Sequence, residues 1–201
     1  ETAAEGPGLR YCVWVQGCSH HCPGCFAKDT WDSEKGRWIE IEDIKEDLRR
    51  AIQSAAEKRK DLEGLTLLGG EPFDQAQEAA QLAKEAKKHG LSVLTFTGYR
   101  LEELRKKGPA ERKLLKRTDL LIDGPFEEEK KSFDRPLVGS SNQRFHFLTD
   151  RYKKEDIMSW KNSFEIRIDQ DGRIWINGMG DLAGLRDYEK RRHSSNEISW
   201  D

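Results

Sequence analysis

The feature that most constrains this chain is an alternation of short apolar runs with stretches of helical spacing. Leu65–Leu68 (LTLL), Leu91–Phe96 and Leu120–Asp123 read as strands. Asp74–His89 reads as a helix, and Leu101–Lys107 and Glu111–Lys116 as two shorter ones. Ahead of them, Arg10–Gln16 (RYCVWVQ) alternates as a strand does, and Glu42–Lys58 sets Ile44, Leu48, Ile52 and Ala55 at helical spacing. Arg144–Leu148 adds a further strand. Repeated strand–helix units predict an α/β fold, a parallel sheet with helices outside, curled into a partial (incomplete) β/α barrel. In such sheets ligands sit at the carboxyl ends of the strands. Four expected strand ends carry Gly17-Cys18, Gly69-Gly70-Glu71-Pro72, Thr97-Gly98-Tyr99 and Asp123-Gly124-Pro125, all with small or polar residues that admit a ligand.

The C-terminal part differs. Phe164–Ile168 and Arg173–Ile176 flank Asp171-Gly172, a strong hairpin signal, and a charged end runs from Arg186 to Asp201. Residues 1–150 are therefore read as the core domain, and 151–201 as a C-terminal extension of the same compact unit. The hairpin either shapes a substrate or partner surface or covers a sheet edge. The charged end is expected to be weakly ordered unless it docks. With 35 basic and 37 acidic residues the net charge is −2, which gives no global field for nucleic acid or an anionic membrane. No apolar run suits a membrane span and no signal peptide is evident, so a cytoplasmic location is expected. The chain begins at Glu1 without methionine, which leaves room for native residues ahead of it.

Of four cysteines, Cys18, Cys22 and Cys25 crowd into one loop between Gly17 and Ser33, too close for a disulfide framework. Such a cluster binds metal or does redox work. A four-iron cubane is commonly held by four cysteines, so three thiolates leave one iron open for substrate. The rival is a structural zinc site that also uses Cys12. Zinc favours two close pairs across a longer spacer, which these four do not form, and a mid-strand Cys12 suits core packing. His20 and His21 either donate to sulfur or face outward.

The Cys18-x3-Cys22-x2-Cys25 spacing resembles that of the radical S-adenosylmethionine superfamily. Cys18-Ser19-His20-His21-Cys22-Pro23-Gly24-Cys25-Phe26 is similar to its subgroup that activates glycyl-radical enzymes. Further matches follow in order: Gly6-Pro7-Gly8-Leu9-Arg10, Thr30-Trp31, Gly69–Pro72, Thr97–Tyr99, Asp123–Phe126 and Gly139-Ser140-Ser141-Asn142-Gln143. The last looks most like the anaerobic ribonucleotide reductase activating proteins. The resemblance implies a 4Fe-4S cluster on Cys18, Cys22 and Cys25 that cleaves S-adenosylmethionine. It implies that Gly69, Gly70 and Glu71 meet the methionine amino group, and that Thr95 and Thr97 meet the ribose or the methionine carboxylate. Asp123 and Asn142 are further cofactor candidates, and Phe26 packs on adenine. The partners implied are a glycyl-radical enzyme and an external electron donor such as flavodoxin or ferredoxin. Each position has a plainer reading: a strand-to-helix turn at Gly69–Pro72, β formers with satisfied hydroxyls at Thr95 and Thr97, a cap at Asp123. Departures from the pattern are Gly24 where many members have an aromatic, Ala27 where the reductase activators often have asparagine, and Glu71, which looks more like the pyruvate formate-lyase activators.

Three functional readings follow. The first is generation of a glycyl radical on a partner, the second the same chemistry on a peptide or small molecule, the third a non-catalytic metal-stapled interaction module.

Overall fold

A computed structural model of the chain describes residues 1–168, 170–172 and 174–179. Five strands form one sheet in chain order: β1 (Leu9–Val15), β2 (Leu62–Gly69), β3 (Ser92–Thr97), β4 (Leu120–Asp123) and β5 (Arg144–Phe147). β1 to β4 are parallel and β5 is antiparallel to β4. The all-parallel expectation is corrected there. A parallel neighbour needs a crossover, usually helical. The connection from Gly124 to Gln143 holds only a single 3-10 turn (Glu128–Lys130), and the chain returns directly.

Helices α1 (Ile41–Glu57) and α2 (Ala76–Lys88) make the first two crossovers, and α3 (Leu101–Leu104) with α4 (Pro109–Arg117) makes the third. In α1, Ile41, Ile44, Leu48, Ala51, Ile52 and Ala55 recur at intervals of three and four and face the core. α2 buries Ala76, Ala79, Ala80, Ala83 and Ala86, small residues that let it lie close to the sheet and α4. The helix expected over Leu101–Lys107 stops at Leu104, because only Leu101 and Leu104 have core to cover and Arg105 and Lys106 are exposed. α5 (Lys154–Ser159) follows β5.

The two faces of the sheet obey the strand period of two. Leu65, Leu67, Val93 and Leu121 point to the main helices, while Leu94, Leu120 and Ile122 pack against Leu137, Val138 and Ile157 on the other side. On that second side Trp14, Leu68 and Phe96 wall a cavity instead. Arg10 is fully buried. Its guanidinium donates to Thr66 Oγ1 (2.6 Å), Leu65 O (2.8 Å), Tyr152 OH (2.9 Å), Ser92 Oγ (3.1 Å) and Pro7 O (3.1 Å). Neutral acceptors thus offset the desolvation of this charge and tie four segments of chain together.

The expected hairpin is present, as β6 (Phe164–Ile168) and β7 (Ile174–Gly178) in a separate two-stranded sheet. It sits against the N-terminal residues, where Thr2 bridges to Arg10 on β1. Gly178 N donates to Glu5 Oε1 (2.7 Å), Ala3 N to Glu165 Oε2 (3.3 Å), and the Thr2 hydroxyl to Glu165. The charged end from Arg186 to Asp201 lies outside the described residues. No described helix is long and apolar enough to cross a membrane.

Candidate metal centre

The loop that follows β1 carries the three clustered cysteines, and main-chain bonds fix both of its ends. Gly17 N donates to Thr30 O (2.8 Å) and Cys18 N to Trp31 O (3.2 Å). The Gln16 amide donates to Asp29 O and Asp32 O, both at 2.8 Å. Within the loop, Cys25 N returns to Cys22 O (3.1 Å) through Gly24, whose φ of +75° suits glycine.

The end of β2 presses against the base of this loop. Gly70 N donates to Val15 O and Glu71 N to Gly17 O, both at 2.8 Å. A Cβ on Gly70 would lie 2.1 Å from Gly17 O. The Glu71 carboxylate is buried and accepts from Phe73 N (2.9 Å), Thr97 Oγ1 (2.8 Å) and Gly98 N (2.8 Å). His20 Nε2 sits 3.4 Å from Glu71 Oε2 without hydrogen-bond geometry. The Glu71 carboxylate beside it is the main cause that raises the His20 pKa, against the effect of burial. The His20 ring lies edge-on to Tyr99, with centroids 4.4 Å apart, and packs over Gly98, where a Cβ would be 2.5 Å from His20 Cδ2. Asp74 completes the anchor, accepting from Ser19 N and Tyr99 OH, both at 2.9 Å.

A cavity of about 410 Å³ opens at this junction. Cys18, Cys22, Cys25, Phe26, Gly69, Gly70, Glu71 and Thr97 all line it. Three other expected residues do not. Thr95 is buried, with its hydroxyl 3.1 Å from that of Thr118. Asp123 is fully buried and accepts from Leu101 N (2.6 Å) and from Arg144 Nη2 (2.6 Å) and Nε (2.9 Å), with His146 Nε2 2.9 Å away. Burial raises its pKa, but the Arg144 and Leu101 hydrogen bonds outweigh that and hold it low. Asn142 Nδ2 donates to Pro125 O (2.8 Å), while its buried Oδ1 has no partner. Gly139 and Gln143 of the same motif line the cavity instead.

Sequence reading missed Glu5 and Trp14, and it offered the hairpin as a candidate substrate surface without assigning Phe164, Ile176, Gly178 or Met179, all of which line the cavity. Trp14 was detectable from alternation along β1. Glu5 and Gly178 meet only through the fold.

Burial is the main cause that raises the Cys18 and Cys22 thiol pKa values, opposed by main-chain amides. Ionisation of these thiols therefore accompanies metal binding. Cys12 lies apart, its Sγ 3.8 Å from Arg10 O, with burial pushing its pKa up to about 12. Among the described residues no three Cys, His, Asp or Glu side chains converge to hold one ion. A structural zinc on all four cysteines would need Cys12, which does not line the cavity that the other three share. A cubane takes each thiolate at a different iron, so three thiols spread around one cavity fit it.

The sequence model described as 4Fe-4S single cluster domain matches residues 4–146. The chain belongs to that 4Fe-4S single-cluster-domain family, and within it to the family of the relatives that follow. It is 34% identical over 152 residues to the anaerobic ribonucleoside-triphosphate reductase-activating protein of Salmonella typhi, covering 72% of this chain and 92% of that protein. The proteins of the same name from Escherichia coli K12 and Enterobacteria phage T4 are 32% and 30% identical, over 72% and 76% of this chain and 92% of each relative.

Proposed function

We propose that the chain is a radical S-adenosylmethionine enzyme that installs a glycyl radical on an anaerobic ribonucleotide reductase. The observation that carries this reading is the shared cavity, into which all three clustered cysteines and the Gly69-Gly70-Glu71 strand end open. Bound to Cys18, Cys22 and Cys25, a 4Fe-4S cluster with one iron free of protein would supply the electron that splits S-adenosylmethionine into methionine and a 5′-deoxyadenosyl radical. That radical takes a hydrogen atom from a glycine Cα of the partner. The electron comes from outside, from a donor such as flavodoxin or ferredoxin.

The protein's own share is to bind, orient and shield. Gly69 and Gly70 leave main chain open to the methionine amino group, and Glu71 adds negative charge. Thr97 orients Glu71, and Phe26 offers an aromatic wall. Asn142, whose side chain is held on Pro125 O outside the cavity lining, shapes the adjoining loop. Thr95 and Asp123 keep a structural part, through Thr118 and through Leu101 N and Arg144. We read the sheet as a segment of an incomplete β/α barrel, which the chain-order adjacency of its strands supports. The enzyme is taken to be cytoplasmic. Modification of a peptide or small molecule is the second reading, favoured by the hairpin residues in the cavity wall.

The test is anaerobic reconstitution with iron and sulfide, then reduction with S-adenosylmethionine, while following 5′-deoxyadenosine and methionine. Alanine at Cys18, Cys22 or Cys25 should abolish both products. No product from a chain carrying a full cluster sinks the enzymatic reading and leaves a metal-stapled interaction module. With the reductase present, a glycyl radical signal separates the first reading from the second.

A further inference from the structure

The hairpin lies beyond the segment matched by the family, which ends at residue 146, and its two faces are used in an unusual sense. Alternate residues of a ribbon share a face. Phe164, Ile166 and Ile168 fall on one face of β6, with Gly178 opposite Phe164 and Ile176 opposite Ile166. Glu165 and Arg167 fall on the other, with Asn177 opposite Glu165. A ribbon that only covered a sheet edge would turn its apolar face inward. Here the polar face makes an inward contact, through Glu165 to Ala3 N and the Thr2 hydroxyl, and only the base of the apolar face, at Phe164, Ile176 and Gly178, reaches the cavity. Among the described residues nothing covers the isoleucines, with Ile166 48%, Ile168 69% and Ile176 51% exposed.

Phe164 and Ile176 belong to both surfaces, since they also line the cavity. The apolar strip therefore starts at the cavity wall and runs outward along the hairpin. Its base is fixed, because Gly178 N is held by Glu5 and a Cβ on Gly178 would fall 3.1 Å from Ala4 Cβ. In the proposed reaction a glycine of another protein must reach the cavity, so backbone flanking that glycine must cross this rim. Only an uncharged, apolar flank avoids a desolvation cost against three isoleucines.

We propose that the apolar face of the hairpin is the docking surface for the glycine-bearing segment of the protein that receives the radical, which binds as an extended apolar peptide. This rests on the proposed function. It assigns the extension a task that the matched core does not perform: to select the partner and lead its backbone into the cavity.

The test uses Ile166→Thr/Ile168→Thr, which keeps strand propensity and removes apolar surface, beside Ile166→Val/Ile168→Val, which keeps both. The partner is the anaerobic ribonucleoside-triphosphate reductase of the same organism. Sedimentation velocity reads complex formation without any cluster chemistry, electron paramagnetic resonance reads the glycyl radical, and 5′-deoxyadenosine formed without reductase reads the cavity alone. The threonine pair should weaken the complex about tenfold or more and cut the radical yield accordingly. Partner-free 5′-deoxyadenosine should stay within about twofold, and the valine pair should behave as wild type. Unchanged complex formation in the threonine pair overturns the proposal. So does a threonine pair that loses partner-free turnover, since the strip would then be packed against this chain itself, or one that differs from wild type only in self-association. A wild-type chain that forms no 5′-deoxyadenosine fails at the earlier step, and takes the proposed function and this inference with it.

Discussion

Gly70 and Gly90 show how differently two glycines can matter. A Cβ at Gly70 collides with the Gly17 carbonyl, which is main chain at the foot of the cysteine loop and has no room to move. Gly90 has a φ of +73° but nothing within 4 Å of its absent Cβ. Gly70→Ala should cost about 3 kcal/mol, the upper end of overpacking penalties, and reduce the iron bound per chain on reconstitution. Gly90→Ala should cost only about 1 kcal/mol of backbone strain and leave iron content alone. Urea denaturation and iron assay on both variants check the pair. Glu5 makes a second case. Burial raises its pKa to about 7 from 4.5, against the opposing hydrogen bond from Gly178. Because the raised value belongs to the folded state, the unfolded chain gives up this proton first as pH rises. Stability is then full below about pH 4.5, falls through pH 7, and is lower by on the order of 3 kcal/mol above it. Glu5→Gln keeps an acceptor for Gly178 N and cannot ionise. The difference in unfolding free energy between Glu5→Gln and wild type should therefore grow from pH 5 to pH 8 in favour of the variant. A constant difference across that range would show that Glu5 does not titrate there.

At the scale of elements, the crossover helices carry the fold, and α2 does so through alanine rather than bulk. Ala83 is fully buried, while its neighbour Lys84 is exposed. Ala83→Leu should lose about 2 kcal/mol, because α2 would be pushed off the sheet and α4, while Lys84→Leu should stay within about 0.5 kcal/mol. Thermal melts of the two variants test that contrast. Such periodic elements could be read from the chain, because burial on one face imposes spacing on the residues themselves. The direction of β5 could not, since it depends on whether the preceding connection crosses over, and Gly124–Gln143 carries no periodic signal of its own. The site divides in the same way. The cysteines, Gly69, Gly70, Glu71 and Thr97 were readable because they sit together at strand ends. Asp123 also ends a strand, but Arg144 on the antiparallel β5 takes up its carboxylate, a pairing no local pattern announces. Glu5 and Gly178 are 173 residues apart, beyond any local reading.

For the whole molecule, the sheet core and the metal-binding loop draw on separate sources of stability. The larger core cluster joins β2, β3 and β4 to α1, α2 and α4 and includes no residue of the loop. Between Gly17 and Arg37, Thr30 alone is buried, and the loop is held by hydrogen bonds at its ends and by Asp74 and Gln75 from the turn after β2. A cluster on three cysteines would close the middle of that span covalently. Its removal should therefore leave the sheet folded while the loop opens locally, as expected of segments with few buried apolar contacts. A zinc-stapled module that depends on its metal to fold behaves differently, since chelation unfolds it outright. Limited proteolysis under anaerobic conditions separates the two. The cluster-loaded chain should resist cleavage at Lys28, Lys35 and Arg37, and the cluster-free chain should be cut there at least about tenfold faster, an opening of about 1.4 kcal/mol. Far-ultraviolet circular dichroism of the two forms should nearly coincide. Loss of the helical signal along with the metal would mean that the cysteine loop and the sheet fold as one unit, and that the cavity is built only when the metal is in place.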